Sequence, residues 1–165
     1  MNQTIMKLAK LPLNFIRGSL VLLTPGFVYA GERDISFSTK LLAIDANEGC
    51  AIIDVNNDGH LDVVAGRNWY AGPDFVPRAL RPIEDRNGYI HSNGDFPYDV
   101  DADGWVDIIA QSFFQTEINW FRNPGPEALK LGLLWEKRLL VDTQVDRNEA
   151  ELMHDLDGDG VKEFV

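Results

Sequence analysis

Apolar residues along this chain fall in short runs, each set against an acidic, glycine-containing turn. Ala51-Ile52-Ile53 precedes the turn that begins at Asp54, and Val63-Val64-Ala65 follows it. Ile108-Ile109-Ala110 follows a second such turn and Phe164-Val165 a third. Runs this short, rich in β-branched residues and bounded by turn formers, predict strands: each unit reads strand, acidic turn, strand. An aromatic segment recurs next, Asn68-Trp69-Tyr70-Ala71-Gly72-Pro73 in one unit and Asn119-Trp120-Phe121-Arg122-Asn123-Pro124 in the other. It predicts a third strand ending in a Pro/Gly turn. A fourth strand is expected at Arg78-Ala79-Leu80-Arg81 and over Trp135 to Val141. Long stretches of helical periodicity are absent, and only Pro126 to Leu134 reads as a short helical turn.

The acidic turns start 45 and then 56 residues apart. Four antiparallel strands at that period are the sequence signature of a β-propeller blade, so the expected fold class is all-β, with about two to three blades present. The longer second unit has six extra residues between turn and tryptophan (21 against 15) and five more before the next turn (35 against 30). Both additions belong in loops, where insertions are tolerated. A ring needs about four to eight blades. Val165 falls within a repeat, so the expectation is an incomplete propeller, truncated at its C-terminus, from a longer protein.

The turns themselves are Asp54 to Asp62, Asp99 to Asp107 and Asp155 to Glu163. Each sets oxygen-bearing side chains at relative positions 1, 3, 5 and 9, with glycine at 6. Asp54, Asn56, Asp58 and Asp62 form the first set, Asp99, Asp101, Asp103 and Asp107 the second, and Asp155, Asp157, Asp159 and Glu163 the third. Such a set suits a hard cation, with the position-7 residues His60, Trp105 and Val161 adding a backbone carbonyl. Calcium is preferred to magnesium because the donors are all oxygen on a flexible loop, and up to three sites are expected. Zinc does not suit sites without cysteine. An EF-hand loop closes with an acid at position 12, where this chain has Ala65 and Ala110. The alternative is three metal-free Asp-Gly turns linking strands.

In the triple turn D-x-[DN]-x-D-G-x-x-[DE], flanked by apolar strands, residues 37–165 resemble the FG-GAP/VCBS-type repeat proteins, secreted β-propellers. The resemblance implies calcium held in the blade loops by the matching residues, and an extracellular or surface role that is often adhesive or carbohydrate-related. The FG and GAP dipeptides are absent as such, and the third turn carries glutamate where the others carry aspartate.

Charge and the N-terminus narrow the function. Lys7, Lys10 and Arg17, with no acid before Glu32, precede the apolar Leu20-Val21-Leu22-Leu23 and Phe27 to Ala30. This reads as a signal peptide over residues 1–30 cut after Ala30, leaving the repeats in 31–165 and no membrane span after cleavage. Without those three bases the chain holds 12 bases against 26 acids, a net charge of −14. Such a surface repels nucleic acid and anionic membranes. The expected location is secreted, periplasmic or cell-surface. Cys50, the one cysteine, is expected to be a small buried thiol. His91, Asp95 and Asp99 lie close in sequence, with Tyr89 and Tyr98 beside them, but a loop built on Asn93, Gly94 and Pro97 accounts for that segment without catalysis. Trp69, Tyr70, Trp120 and Phe121 are expected to pack between blades rather than to stack on sugars. The expected function is a non-catalytic calcium-binding module for a polysaccharide or a cell-surface protein. The rival is a calcium-dependent propeller polysaccharide lyase of the rhamnogalacturonan-lyase kind.

Overall fold

Two four-stranded antiparallel meanders dominate the computed structural model, which describes residues 35–147, 149 and 151–165. The expected signal peptide and its cleavage point lie outside the described residues. Met1–Ser38 and Thr39–Val165 are separate units. Residues 35–38 of the first are in neither helix nor strand, and every element described below belongs to the second.

The first meander runs β1 (Ala51–Ile53), β2 (Asp62–Ala65), β3 (Asn68–Ala71) and β4 (Val76–Ala79), paired in that order. A small hairpin follows, β5 (Asp85–Arg86) with β6 (Tyr89–Ile90). The second meander takes β7 (Gly94–Tyr98), β8 (Asp107–Gln111), β9 (Glu117–Arg122) and β10 (Glu136–Asp142), with the helix α1 (Gly125–Leu131) between the last two. A second two-stranded hairpin, which carries the third acidic turn and is named the third hairpin for it, pairs β11 (Met153–His154) with β12 (Glu163–Phe164). The all-β expectation holds. The fourth strands fall at Val76–Ala79 and Glu136–Asp142, and the short helix begins at Gly125.

Two expectations are corrected. The segment Asn93 to Pro97 is not merely a loop: Gly94–Tyr98 is strand β7. It tolerates Pro97 because β7 is a sheet edge, where a missing N–H breaks no second ladder. Cys50 is exposed rather than buried, because Ala51 takes the inward place as β1 begins. Its thiol is nevertheless raised by partial desolvation and then by the nearby charge of Asp95.

Strand alternation gives the second meander two apolar faces. Ile108, Ala110 and Phe121 face the first meander, packing with Val55, Val64, Trp69, Leu80, Leu129 and Trp135. Ile109, Ile118 and Trp120 face the other way, towards Met153 and Phe164 of the third hairpin. Phe96 meets Phe164 edge-on at 5.0 Å between ring centres. The four aromatics of the recurring segment are all buried, with Trp69 and Phe121 in one apolar cluster and Trp120 in the other.

Between the meanders, β1 lies against β7, and the backbones approach so closely that a Cβ on Gly49 would stand 2.7 Å from Gly94 Cα. A buried ion pair locks the seam. Arg81, 4% exposed, donates through Nη2 to Asp95 Oδ1 (2.6 Å) and Ser92 Oγ (3.0 Å), and through Nε to Gly66 O (3.1 Å). Asp95 Oδ2 accepts from Gly66 N at 2.8 Å, tying the β2–β3 turn of one sheet to the first strand of the other. The guanidinium also lies 4.8 Å from the centre of the Phe121 ring. Burial lowers the Arg81 pKa, and the charge of Asp95 opposes that shift.

Removing one member of such a pair strands the other in a low dielectric. Asp95→Ala is expected to lose about 3–5 kcal/mol in urea denaturation, whereas the double change Arg81→Met with Asp95→Leu restores much of that loss.

Candidate metal centre

Each acidic turn is organised by a similar set of hydrogen bonds, two of which recur in all three loops: position 6 N–H to position 1 and position 7 N–H to position 5. The position-1 carboxylates accept from the backbone within their own loops. Asp54 receives Asp58 N (3.2 Å) and Gly59 N (2.8 Å), Asp99 receives Asp103 N (3.0 Å) and Gly104 N (2.9 Å), and Asp155 receives Gly158 N (2.7 Å) and Gly160 N (3.0 Å). The position-5 carboxylates each accept the N–H of position 7, from His60 (2.9 Å), Trp105 (2.9 Å) and Val161 (2.8 Å). At position 3, Asn56 and Asp157 accept from the N–H of position 5 at 3.1 Å. These side-chain turns coil each loop around its own carboxylates.

That coiling needs left-handed backbone at two places. Position 6 is glycine each time, at φ of 87°, 88° and 93°. Position 4 is equally left-handed and holds Asn57 (56°), Ala102 (57°) and Gly158 (81°). Asparagine and glycine suit that conformation; alanine does not.

Position 9 does different work. The side chains of Asp62 and Asp107 are fully buried at the base of their hairpins. Asp62 Oδ2 accepts Val55 N (2.8 Å) and Oδ1 accepts Gly72 N (2.7 Å), so one carboxylate joins the loop to the end of β3. Asp107 repeats this with Val100 N (3.0 Å) and Asn123 N (2.7 Å). Glu163 reaches Leu156 N at 2.7 Å with its longer arm. Burial raises the pKa of Asp62 and Asp107, against the lowering effect of the N–H groups that point at them.

The loops differ in how they gather carboxylates. Asp99, Asp101 and Asp107 bring oxygens within 4.8 Å of one another, as do Asp155, Asp157 and Glu163. Either group could hold a metal ion. Each carboxylate oxygen has two lone pairs, so accepting one N–H leaves room for a cation. The donors are all oxygen, which fits a hard ion. Asp103 and Asp159 stand outside these groups, and Asp54, Asp58 and Asp62 form no such group. In the first loop the Asn56 amide donates to Asp58 Oδ2 at 2.9 Å, and the His60 ring lies 3.2 Å from Asp58 Oδ1. The Asp58 pKa is lowered, chiefly by the His60 N–H.

Two residues outside the spacing pattern shape the second loop. Arg122 on β9 donates through Nε to Asp101 Oδ2 (2.6 Å) and pairs through Nη2 with Asp103, lowering the Asp101 pKa. Asn123, 1% exposed, uses its amide in full. Nδ2 donates to Val55 O and Val106 O (each 3.0 Å), and Oδ1 accepts Gly125 N at 3.0 Å. It therefore joins the second loop to the first. Both residues lie in the recurring aromatic segment, where the register against Gly72 was the available signal. His91, Asp95 and Asp99, close in sequence, do not come together as one group. Asp95 serves Arg81 and Asp99 serves its own loop, and no hydrogen bond or ion pair joins His91 to either.

Two substitutions test this account in denaturant melts. Asp107→Ala leaves two inward N–H groups without an acceptor, and an expected loss of about 2–6 kcal/mol follows at about 1–3 kcal/mol for each. Ala102→Gly relieves the left-handed strain, and a gain of about 0.5–1 kcal/mol is expected after the entropic cost of glycine. No protein-family model matches this chain, and neither a curated protein nor a solved structure shows significant similarity to it.

Proposed function

We propose that this chain is a calcium-binding repeat module whose meanders and third hairpin are blades of a β-propeller. On this reading it works outside the cell, without catalysis, in binding a polysaccharide or a surface protein. The observation that carries the reading is the threefold recurrence of one loop network, down to the left-handed residues at positions 4 and 6. Metal-free turns would account for the backbone N–H groups that these oxygens accept, but would not need three carboxylates gathered together. The oxygens at 1 and 3, drawn together with that at 9 in the second and third loops, have a use once a cation sits among them.

Several features support the propeller arrangement. Each meander is a four-stranded antiparallel sheet, the sheets stack through apolar faces, and their first strands lie side by side. Among the described residues no helix is long and apolar enough to cross a membrane. The acidic excess disfavours nucleic acid as a partner.

In the bound state Asp99, Asp101 and Asp107 would hold one ion, and Asp155, Asp157 and Glu163 another. The ion supplies positive charge to carboxylates that otherwise repel, and so stabilises the loops. Calcium at ten to a hundred times its dissociation constant is expected to add about 1–3 kcal/mol, read as a rise in melting temperature that EDTA reverses. Asp99→Ala and Asp155→Ala should each remove part of the rise. A melting curve indifferent to calcium and EDTA would defeat the assignment.

A further inference from the structure

The second and third loops gather the same kind of oxygen set, but they stand in different electric fields. Beside the second loop lies a cation from another strand. Arg122, at the end of β9, donates through Nε to Asp101 Oδ2 at 2.6 Å and pairs through Nη2 with Asp103. The three side chains shield one another, Arg122 keeping 33% exposure and each aspartate 27%. Arg138 on β10 adds a weaker field, with Nη1 4.0 Å from Asp101 Oδ2 while Glu136 holds Nη2 at 2.7 Å.

This guanidinium belongs to one repeat. In the recurring aromatic segment Ala71 takes the place of Arg122 in the first repeat. In the third loop the carboxylates of Asp155, Asp157, Asp159 and Glu163 accept backbone N–H groups. Among the described residues no ion pair reaches any of the four, and Lys162 between them makes none.

Two effects follow for an ion entering the second loop, and both have the same sign. Arg122 already relieves the mutual repulsion of Asp99, Asp101, Asp103 and Asp107, so a further cation gains less by relieving it. The guanidinium also repels a divalent ion directly. An ion entering the third loop meets neither effect.

We infer that Arg122 is a built-in counter-cation that sets the second loop to fill at higher calcium than the third, so that the chain takes up calcium in two steps. The inference rests on the calcium reading above and names the residue that grades its two sites.

Calorimetric titration of the full chain with calcium chloride tests it. Two steps are expected, with Asp99→Ala losing the weaker and Asp155→Ala the tighter. Arg122→Gln should tighten the weaker step about 10-fold and leave the other unchanged, as one unit charge acts on a divalent ion a few ångströms away in a water-like dielectric. The same variant should melt lower than the wild type in EDTA and recover in calcium; a side chain needed only for packing would lower both melts alike. In the wild type, whose folding is not at issue, the Arg122 Nε–H resonance should shift over the weaker step. A weaker step unmoved by Arg122→Gln, a tighter step that belongs to the second loop, or a resonance indifferent to calcium overturns the role of Arg122 and leaves calcium binding standing. A chain that takes up no calcium overturns both.

Discussion

A carboxylate that has left water must be surrounded by donors, and the repeat is arranged around that requirement. Asp62 and Asp107 sit fully buried where two strands and a loop converge. Each accepts one N–H from its own loop and one from the end of the neighbouring third strand. The pair of acceptor oxygens fixes the separation of these segments, so the loop cannot shift without breaking a buried bond. The apolar residues on either side can then commit to opposite faces. Val55, the residue whose N–H Asp62 receives, is itself completely buried in the core between the meanders.

On that common frame the loops resolve their crowded charge differently. The first replaces one carboxylate with Asn56, whose amide donates to Asp58. The second keeps every acid and draws in Arg122 from β9, with Arg138 4.0 Å from Asp101. The third holds four acids, and no ion pair to them is found among the described residues. Compensation from within the chain is thus greatest in the first two loops and least in the third. In the second loop, a guanidinium and a divalent ion would share the Asp101 carboxylate.

The loops were legible because their chemistry is local: oxygens at fixed spacing around an obligatory glycine leave a pattern within nine residues. The meanders were legible from short β-branched runs and a recurring aromatic segment. Arg81 and Asp95 were not, since their partnership spans 14 residues and joins different sheets, with no spacing rule to mark it. Asn123 escaped notice for another reason. Its counterpart Gly72 offers the same backbone N–H to the same clasp, but lacks the amide that reaches across to the first loop. A Cβ at Gly72 would collide with Leu61 O, so the two sites are alike in backbone role and different in available space. Strand β7 was hidden because Gly94 and Pro97 mimic a loop, and only its edge position makes them acceptable.

The two-faced character of β9 bears on how faithfully the chain can pair its strands. Ile118 and Trp120 serve one core while Phe121 serves the other, and neighbouring β8 divides Ile109 from Ile108 and Ala110 in the same way. Sliding β9 by one residue would exchange these sets, sending the Trp120 indole into space shaped for Phe121 and placing Asn119 among the residues around Met153. Both interfaces would reject the slipped pairing at once, whereas a half-solvated sheet would meet opposition on only one side. Alignment proofread from two directions lets strands of only five and six residues settle on a single partner register.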